Sequence, residues 1–290
     1  MAAGRFDEIW AIDWSGARGN LRGIAVARLP AGAGAEGPEL LRPAAPGHWT
    51  RRAVVDRLAA AILEGRRILV GFDFAFGLPV ETLAPLGLAG CRGLPEVWRA
   101  VDRTCAGAPD LHGGGFVAAS PPGVFWTRGA RPEGWIPAMR LTDTRCAETG
   151  AAHPESVMKL VGARQVGLAA LAGMRSLLAL SRACGDRLAI WPADAPDRPS
   201  VAVEMFPTLY RRAATGRSDK LRDEASLNLA LAHHGCAPVR LGLAGPPSDD
   251  QTDALVGAAG LRQAAGRCDA FALPAAARVR REGWIFGVPP

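Results

Sequence analysis

The amino-acid sequence predicts an α/β fold: a mixed β-sheet flanked by helices, with a long, mainly helical and loop insertion after the fourth strand. Three observations lead to it. Short apolar runs bounded by turn formers alternate with stretches of helical period. Residues 1–79 order these segments as β-β-β-α-β, and strand and helix patterns resume near residue 200 after a Gly- and Pro-rich interruption. With 290 residues, 49% of them hydrophobic, the chain can bury a sizeable core without disulfides. It reads as a single domain over 1–290, with the insertion 80–199 forming a subdomain.

Taken in order, Ile9 to Asp13 is a short apolar run closed by Ser15-Gly16 and Gly19-Asn20, and Leu21 to Leu29 follows as the second strand of a hairpin. Beyond a Gly/Ala loop, Glu39 to Arg42 forms a short edge strand. Thr50 is placed as an N-cap with Trp49 stapled onto Val54. Val54, Val55, Leu58, Ile62 and Leu63 make one stripe, so 51–65 is an amphipathic helix. Arg67 to Phe74 is a continuous apolar run, as expected of a strand buried on both faces. In the insertion, 80–120 is dense in Gly and Pro, and 153–184 has helical spacing through Leu160, Leu171 and Leu178. Beyond it, 201–206 reads as a strand, 218–234 as a helix, 239–243 as a short strand, 248–265 as a helix and 282–288 as a tail that packs back.

Composition narrows the functional classes. The six cysteines are scattered, with no CxxC pair and no His spaced to complete a zinc site, so they read as reduced, buried small hydrophobes of a cytoplasmic protein. The N-terminus carries Arg5, Asp7 and Glu8 and lacks the apolar region of a signal peptide, and no run approaches the roughly 20 apolar residues of a membrane span. A net charge of +6 suits a polyanionic partner. Almost all of it is arginine in an Ala-, Gly- and Pro-rich chain, which a GC-rich coding bias explains equally well.

The acids are more telling. Asp13, Asp73 and Glu204 each sit on a strand expected to be buried, the first two at the carboxyl end of the run, where open α/β sheets place ligands. An isolated ionised carboxylate there is costly unless paired or bound to a cation. Ser248-Asp249-Asp250-Gln251 has the form of a capping box, so Asp250 and Asp253 lie on one face of the last long helix, and Gly257 and Gly260 let that face approach the sheet. Taken singly, each acid has a structural explanation: a turn, an arginine partner, or the helix dipole. Together, acids converging from three strands and one helix point to metal-assisted chemistry. An all-carboxylate set with no thiolate suits Mg²⁺ or Mn²⁺ better than zinc.

These residues also carry a resemblance. Ala11-Ile12-Asp13-Trp14-Ser15-Gly16-Ala17, Val70-Gly71-Phe72-Asp73-Phe74-Ala75-Phe76-Gly77-Leu78-Pro79, the stretch from Gly162-Ala163-Arg164-Gln165-Val166-Gly167 to Gly173-Met174, Val203-Glu204-Met205-Phe206-Pro207, Asp249-Asp250-Gln251-Thr252-Asp253-Ala254-Leu255 and Glu282-Gly283-Trp284-Ile285 are together similar to domain-of-unknown-function family 429, described as predicted nucleases of ribonuclease H-like, RuvC-type fold. The resemblance covers most of the chain, through short motifs that are specific only as a set. It implies a ribonuclease H-like sheet. It also implies Asp13, Asp73, Glu204, Asp250 and Asp253 as ligands of Mg²⁺ or Mn²⁺ and as catalytic residues, and DNA or RNA as the partner.

Other residues bear on the substrate. Arg140, Lys159, Arg164 and Trp126 are candidate contacts to phosphates and bases from the insertion, although helix packing explains the Gly-rich segment around Arg164 as well. No Walker or dinucleotide fingerprint is present. Ser15 has no assignable His partner, and His233-His234 reads as a surface pair at a helix end. Two competing readings stay open: an actin-like phosphotransferase using 13–23 as its phosphate hairpin, and a catalytically silent binding protein that keeps the fold.

Overall fold

In the computed structural model, which describes the chain except residues 1–3, 20–22, 33–35, 132–134, 136, 163–165 and 244, the apolar runs assemble into one sheet. β1 (Glu8–Asp13) pairs antiparallel with β2 (Ala25–Pro30), which pairs antiparallel with the short β3 (Glu39–Leu40). β4 (Ile68–Phe72) runs parallel to β1 on its other side, and β5 (Leu188–Ile190) and β6 (Ser200–Glu204) complete a six-stranded sheet of order β3-β2-β1-β4-β6-β5. The three strands expected at the centre are therefore neighbours. β4 and β6 are buried at every residue, as their unbroken apolar character required.

Strand register fixes which side chains share a face. Ala11, Gly71 and Val203 lie level across β1, β4 and β6, and Ile12, Phe72 and Glu204 lie level one residue further on. In a pleated sheet the two sets point to opposite sides. The Ile12 side is covered by α1 (Arg51–Leu63) and by elements of the 80–199 stretch: α2 (Val80–Leu83), α3 (Leu94–Thr104), α4 (Gly114–Ala119) and, after α5 (Leu141–Glu148), the long α6 (Gly167–Cys184). The Ala11 side is covered by α7 (Pro207–Thr215), α8 (Glu224–His233) and α9 (Asp249–Ala265), with α10 (Val279–Glu282) leading into the tail.

Local chemistry sets the helix starts. Thr50 accepts a hydrogen bond from the Ala53 amide at 3.1 Å, and Ser248 and Gln251 close their reciprocal box. α8 starts at Glu224, later than expected, because the Asp223 carboxylate accepts the Ser226 amide at 2.7 Å and caps it there. The helical reading of 153–184 holds only from Gly167. Before it, the Met158 carbonyl accepts the Trp126 amide and the Leu160 amide donates to the Trp126 carbonyl, which commits that backbone to an extended bridge. Residues 239–243 form no strand, since side chains take their backbone groups: Asn228 bonds both the amide and carbonyl of Val239, and Glu224 accepts the Leu241 amide. The stretch 80–199 is also less separate than its composition indicated. α6 packs on the sheet and β5 joins it beside β6. Among the described residues no helix is long and apolar enough to cross a membrane.

Candidate carboxylate site

Because β1, β4 and β6 are parallel and in register, their carboxyl ends finish level, and the Asp73 amide donates to the Ile12 carbonyl at 2.9 Å just past the strand end. α9 crosses the Ala11 side of the sheet closely. A Cβ on Gly257 would stand 2.8 Å from Met205 Sδ, and one on Gly260 would stand 2.2 Å from the Tyr210 ring. That approach brings the first turn of α9 over the strand ends. The result is a cavity of about 210 Å³ lined by Asp13, Asp73, Glu204, Asp250 and Asp253, with Lys220 and Arg140 among its other walls. Residues of the insertion also line it, including Asp143, Pro154, Glu155 and Ala169, so the insertion does cover the strand ends.

The five acids divide into two kinds. Glu204, on the Ile12 side by register, is held by Arg140: the guanidinium donates to both Glu204 oxygens at 2.6 and 2.7 Å, and to both Asp143 oxygens at 2.7 and 3.0 Å. A further bond at 3.3 Å to the Glu282 carbonyl engages the fifth N–H of Arg140, leaving none for a phosphate. The Phe76 amide completes the set at 2.9 Å from Glu204. Burial raises the pKa of Glu204, and Arg140 opposes that rise. Asp253 is likewise engaged, one oxygen by the buried Arg211 and the other by Lys220. Burial works against the Lys220 ammonium and is the largest single influence, but the charge and hydrogen bond of Asp253, with the charge of Asp13, together outweigh it and raise the Lys220 pKa.

Asp13, Asp73 and Asp250 have no ion-pair partner among the described residues. Burial, reinforced by the charges of Asp73, Asp253 and Asp250, lifts Asp13 well above the ordinary carboxylate range. Burial and then the Asp253 charge raise Asp73 to about 7, with a hydrogen bond from Asp13 holding it back. Asp250, half-buried, is raised by burial and also bonds Asp13. Asp13 hydrogen-bonds both Asp73 and Asp250, so the three form one electrostatically interacting set.

Among the described residues no group of three or more His, Cys, Asp or Glu side chains stands ready-made to hold a metal ion. Glu204 and Asp253, expected as ligands, spend their oxygens on Arg140, Arg211 and Lys220, and Asp13, Asp73 and Asp250 do not by themselves form such a group. The chemistry of the remaining three does fit a hard divalent cation, since they offer only oxygen donors and carry mutual repulsion that a cation would remove.

The expected substrate contacts fare differently. Arg140 reaches the cavity but is locked. Lys159 pairs with Glu155 at 3.2 Å and lies over the Trp126 ring at 6.0 Å, and neither Lys159 nor Trp126 lines the cavity. Arg164 lies outside the described residues, as does part (20–22) of the hairpin turn that a phosphotransferase would use. His234 is buried, its ring bonded to Gln263 at 2.8 Å and the Tyr210 carbonyl at 3.0 Å, so it supports packing rather than lying on the surface. Sequence reasoning missed Lys220, Arg211 and Asp143. Lys220 had a faint signal as one of only two lysines in an arginine-rich chain.

Comparison with family models, with curated proteins and with solved structures finds no match to this chain.

Proposed function

We propose that this chain is a divalent-metal-dependent hydrolase of phosphodiester bonds in nucleic acid, built on a ribonuclease H-like fold of the kind its family 429 resemblance implies. The observation that carries the reading is the set of three unpaired acids, Asp13, Asp73 and Asp250, drawn from two strand ends and a helix start to line one small cavity. An antiparallel hairpin continued by parallel strands, with acids at the strand ends, supports the fold assignment.

Asp13, Asp73 and Asp250 would hold Mg²⁺ or Mn²⁺, which supplies charge stabilisation to the phosphate and lowers the pKa of an attacking water. The chain's own groups do the rest. Asp13 would hold the cation in its ionised form, with any proton it carries released to solvent. Lys220, anchored by Asp253, keeps a cation at the cavity wall to orient a phosphate oxygen. Arg140, Asp143 and Glu204 brace the strand ends and are positioning residues, as are Asp253 and Arg211.

The test is hydrolysis of labelled single-strand, duplex and branched DNA and RNA with Mn²⁺, comparing the native chain with Asp13→Asn. Cleavage by the former and not the latter is expected. Failure of the native chain on every substrate, or full activity in Asp13→Asn, overturns the proposal.

A further inference from the structure

Asp250 belongs to two cavities. Besides the carboxylate site, it lines a groove of about 680 Å³ beside the β3 edge of the sheet, whose lining includes residues from Leu41 to Trp49 and from Pro238 to Leu243. Both walls are fixed by hydrogen bonds. The Trp49 indole donates to the Leu41 carbonyl at 3.2 Å on one side. On the other, Asn228 clamps Val239 and Glu224 holds the Leu241 amide. A groove with walls held this way is formed before any ligand arrives.

Its charge is lopsided. Arg42 and His48 stand on one wall and Arg240 on the other, all exposed, and among the described residues no hydrogen bond or ion pair engages them. This separates them from Arg140, Arg211 and Arg175, whose charges are spent on acids. The acids lining the groove are Glu39, already paired with Arg28, and Asp250. Leu243, 38% exposed, adds an apolar surface beside Arg240. Cations on both walls with an apolar side chain in the same lining suit a chain of phosphates carrying planar bases.

We propose that this groove is the track for a single strand of nucleic acid, gripped through its phosphates by Arg42 and Arg240 and led past Asp250 into the carboxylate cavity. This rests on the nuclease reading for what happens at the end of the track, but the grip itself does not. A groove of this volume, open along one sheet edge, has room for a short stretch of one strand rather than for a duplex.

The experiment measures fluorescence anisotropy of a short labelled single strand, DNA or RNA, with Ca²⁺ present, across a range of salt. The native chain is compared with Arg42→Ala/Arg240→Ala and with Arg57→Ala/Arg99→Ala, which removes equal charge from exposed positions elsewhere. The groove variant should bind about tenfold more weakly, with a log–log salt slope shallower by about 1.4, because each lost phosphate contact in a single strand is worth about 0.7. The control pair should bind as the native chain does. Hydrolysis of bis(p-nitrophenyl) phosphate with Mn²⁺, a diester too small to need the groove, should be equal in all three proteins. Groove-dependent binding by a chain that hydrolyses neither substrate would uphold the track and sink the nuclease reading. Equal binding by the groove variant and the native chain, or tighter groove-dependent binding of a duplex than of the single strand, would overturn the track.

Discussion

Asp13 and Glu204 end strands on either side of β4 and are almost equally hidden, at 8% and 2% exposure. Their circumstances are opposite. Glu204 is met by a guanidinium with matched geometry and by a backbone amide, so its charge is supported inside the fold. Asp13 is met by other acids. One residue of strand phase separates the two: Glu204 shares a face with Ile12 and falls to the insertion side, where Arg140 waits, whereas Asp13 faces α9 and its aspartates. The difference teaches that burial of an acid does not by itself mark a site. A paired buried acid holds structure together, and an unpaired cluster stores an unmet demand for positive charge.

The most severe break of this comparison is Asp13→Asn. It should lower hydrolysis by at least about 10³-fold, equivalent to about 4 kcal/mol of transition-state stabilisation, while raising the melting temperature in chelator because a repelling carboxyl is gone. A fall in metal-free stability would mean that Asp13 is structural, like Glu204. Next, Arg140→Met should strand Asp143 and Glu204 without their cation and cost about 3–5 kcal/mol in urea denaturation. A loss below about 1 kcal/mol would remove the structural role given to that cluster.

A third measurement sharpens the contrast through pH. The folded-state pKa of Asp73 is raised to about 7 from an ordinary carboxylate value, so the stability it allows is fully present below the unfolded pKa and is lost as pH rises through about 7. Asp13, Asp250 and Glu204 shift in the same direction and add to the effect. Metal-free protein should therefore lose stability between about pH 4 and pH 7, on the order of a few kcal/mol. Asp73→Asn should flatten that slope in denaturation curves taken across the range. An unchanged slope would show that Asp73 does not titrate as part of the set. The smallest effect is expected from Gly260→Ala, whose methyl meets the Tyr210 ring and should cost about 1–3 kcal/mol by lifting α9. If α9 sets the site, calorimetry should also show weaker Mn²⁺ binding, and unaltered binding would detach the helix from the cluster.

Much of this was legible beforehand. Alternation and turn residues located the hairpin, the apolar run at 67–74 announced a strand buried on both faces, and the Ser248–Gln251 box placed Asp250 and Asp253 on one helical face. The errors cluster where backbone groups find partners that no local pattern reveals: Trp126 with Met158 and Leu160, Asn228 with Val239. β5, three residues long, is too short to register as a periodic signal and exists because β6 offers it an edge.

What the sequence by itself determined was the menu: strands, caps, small residues where a helix must approach, and acids where acids are costly. Those depend on residue type and on spacing of a few positions, which local sterics and hydrogen bonding enforce. Which acids stay unpaired was decided only in three dimensions. Arg140 and Glu204 are 64 positions apart, Lys220 and Asp253 are 33 apart, and Arg211 and Asp253 are 42 apart. Each pairing arises from strand register and helix placement, and the electrostatic cost of an acid depends on the charge that finally stands beside it.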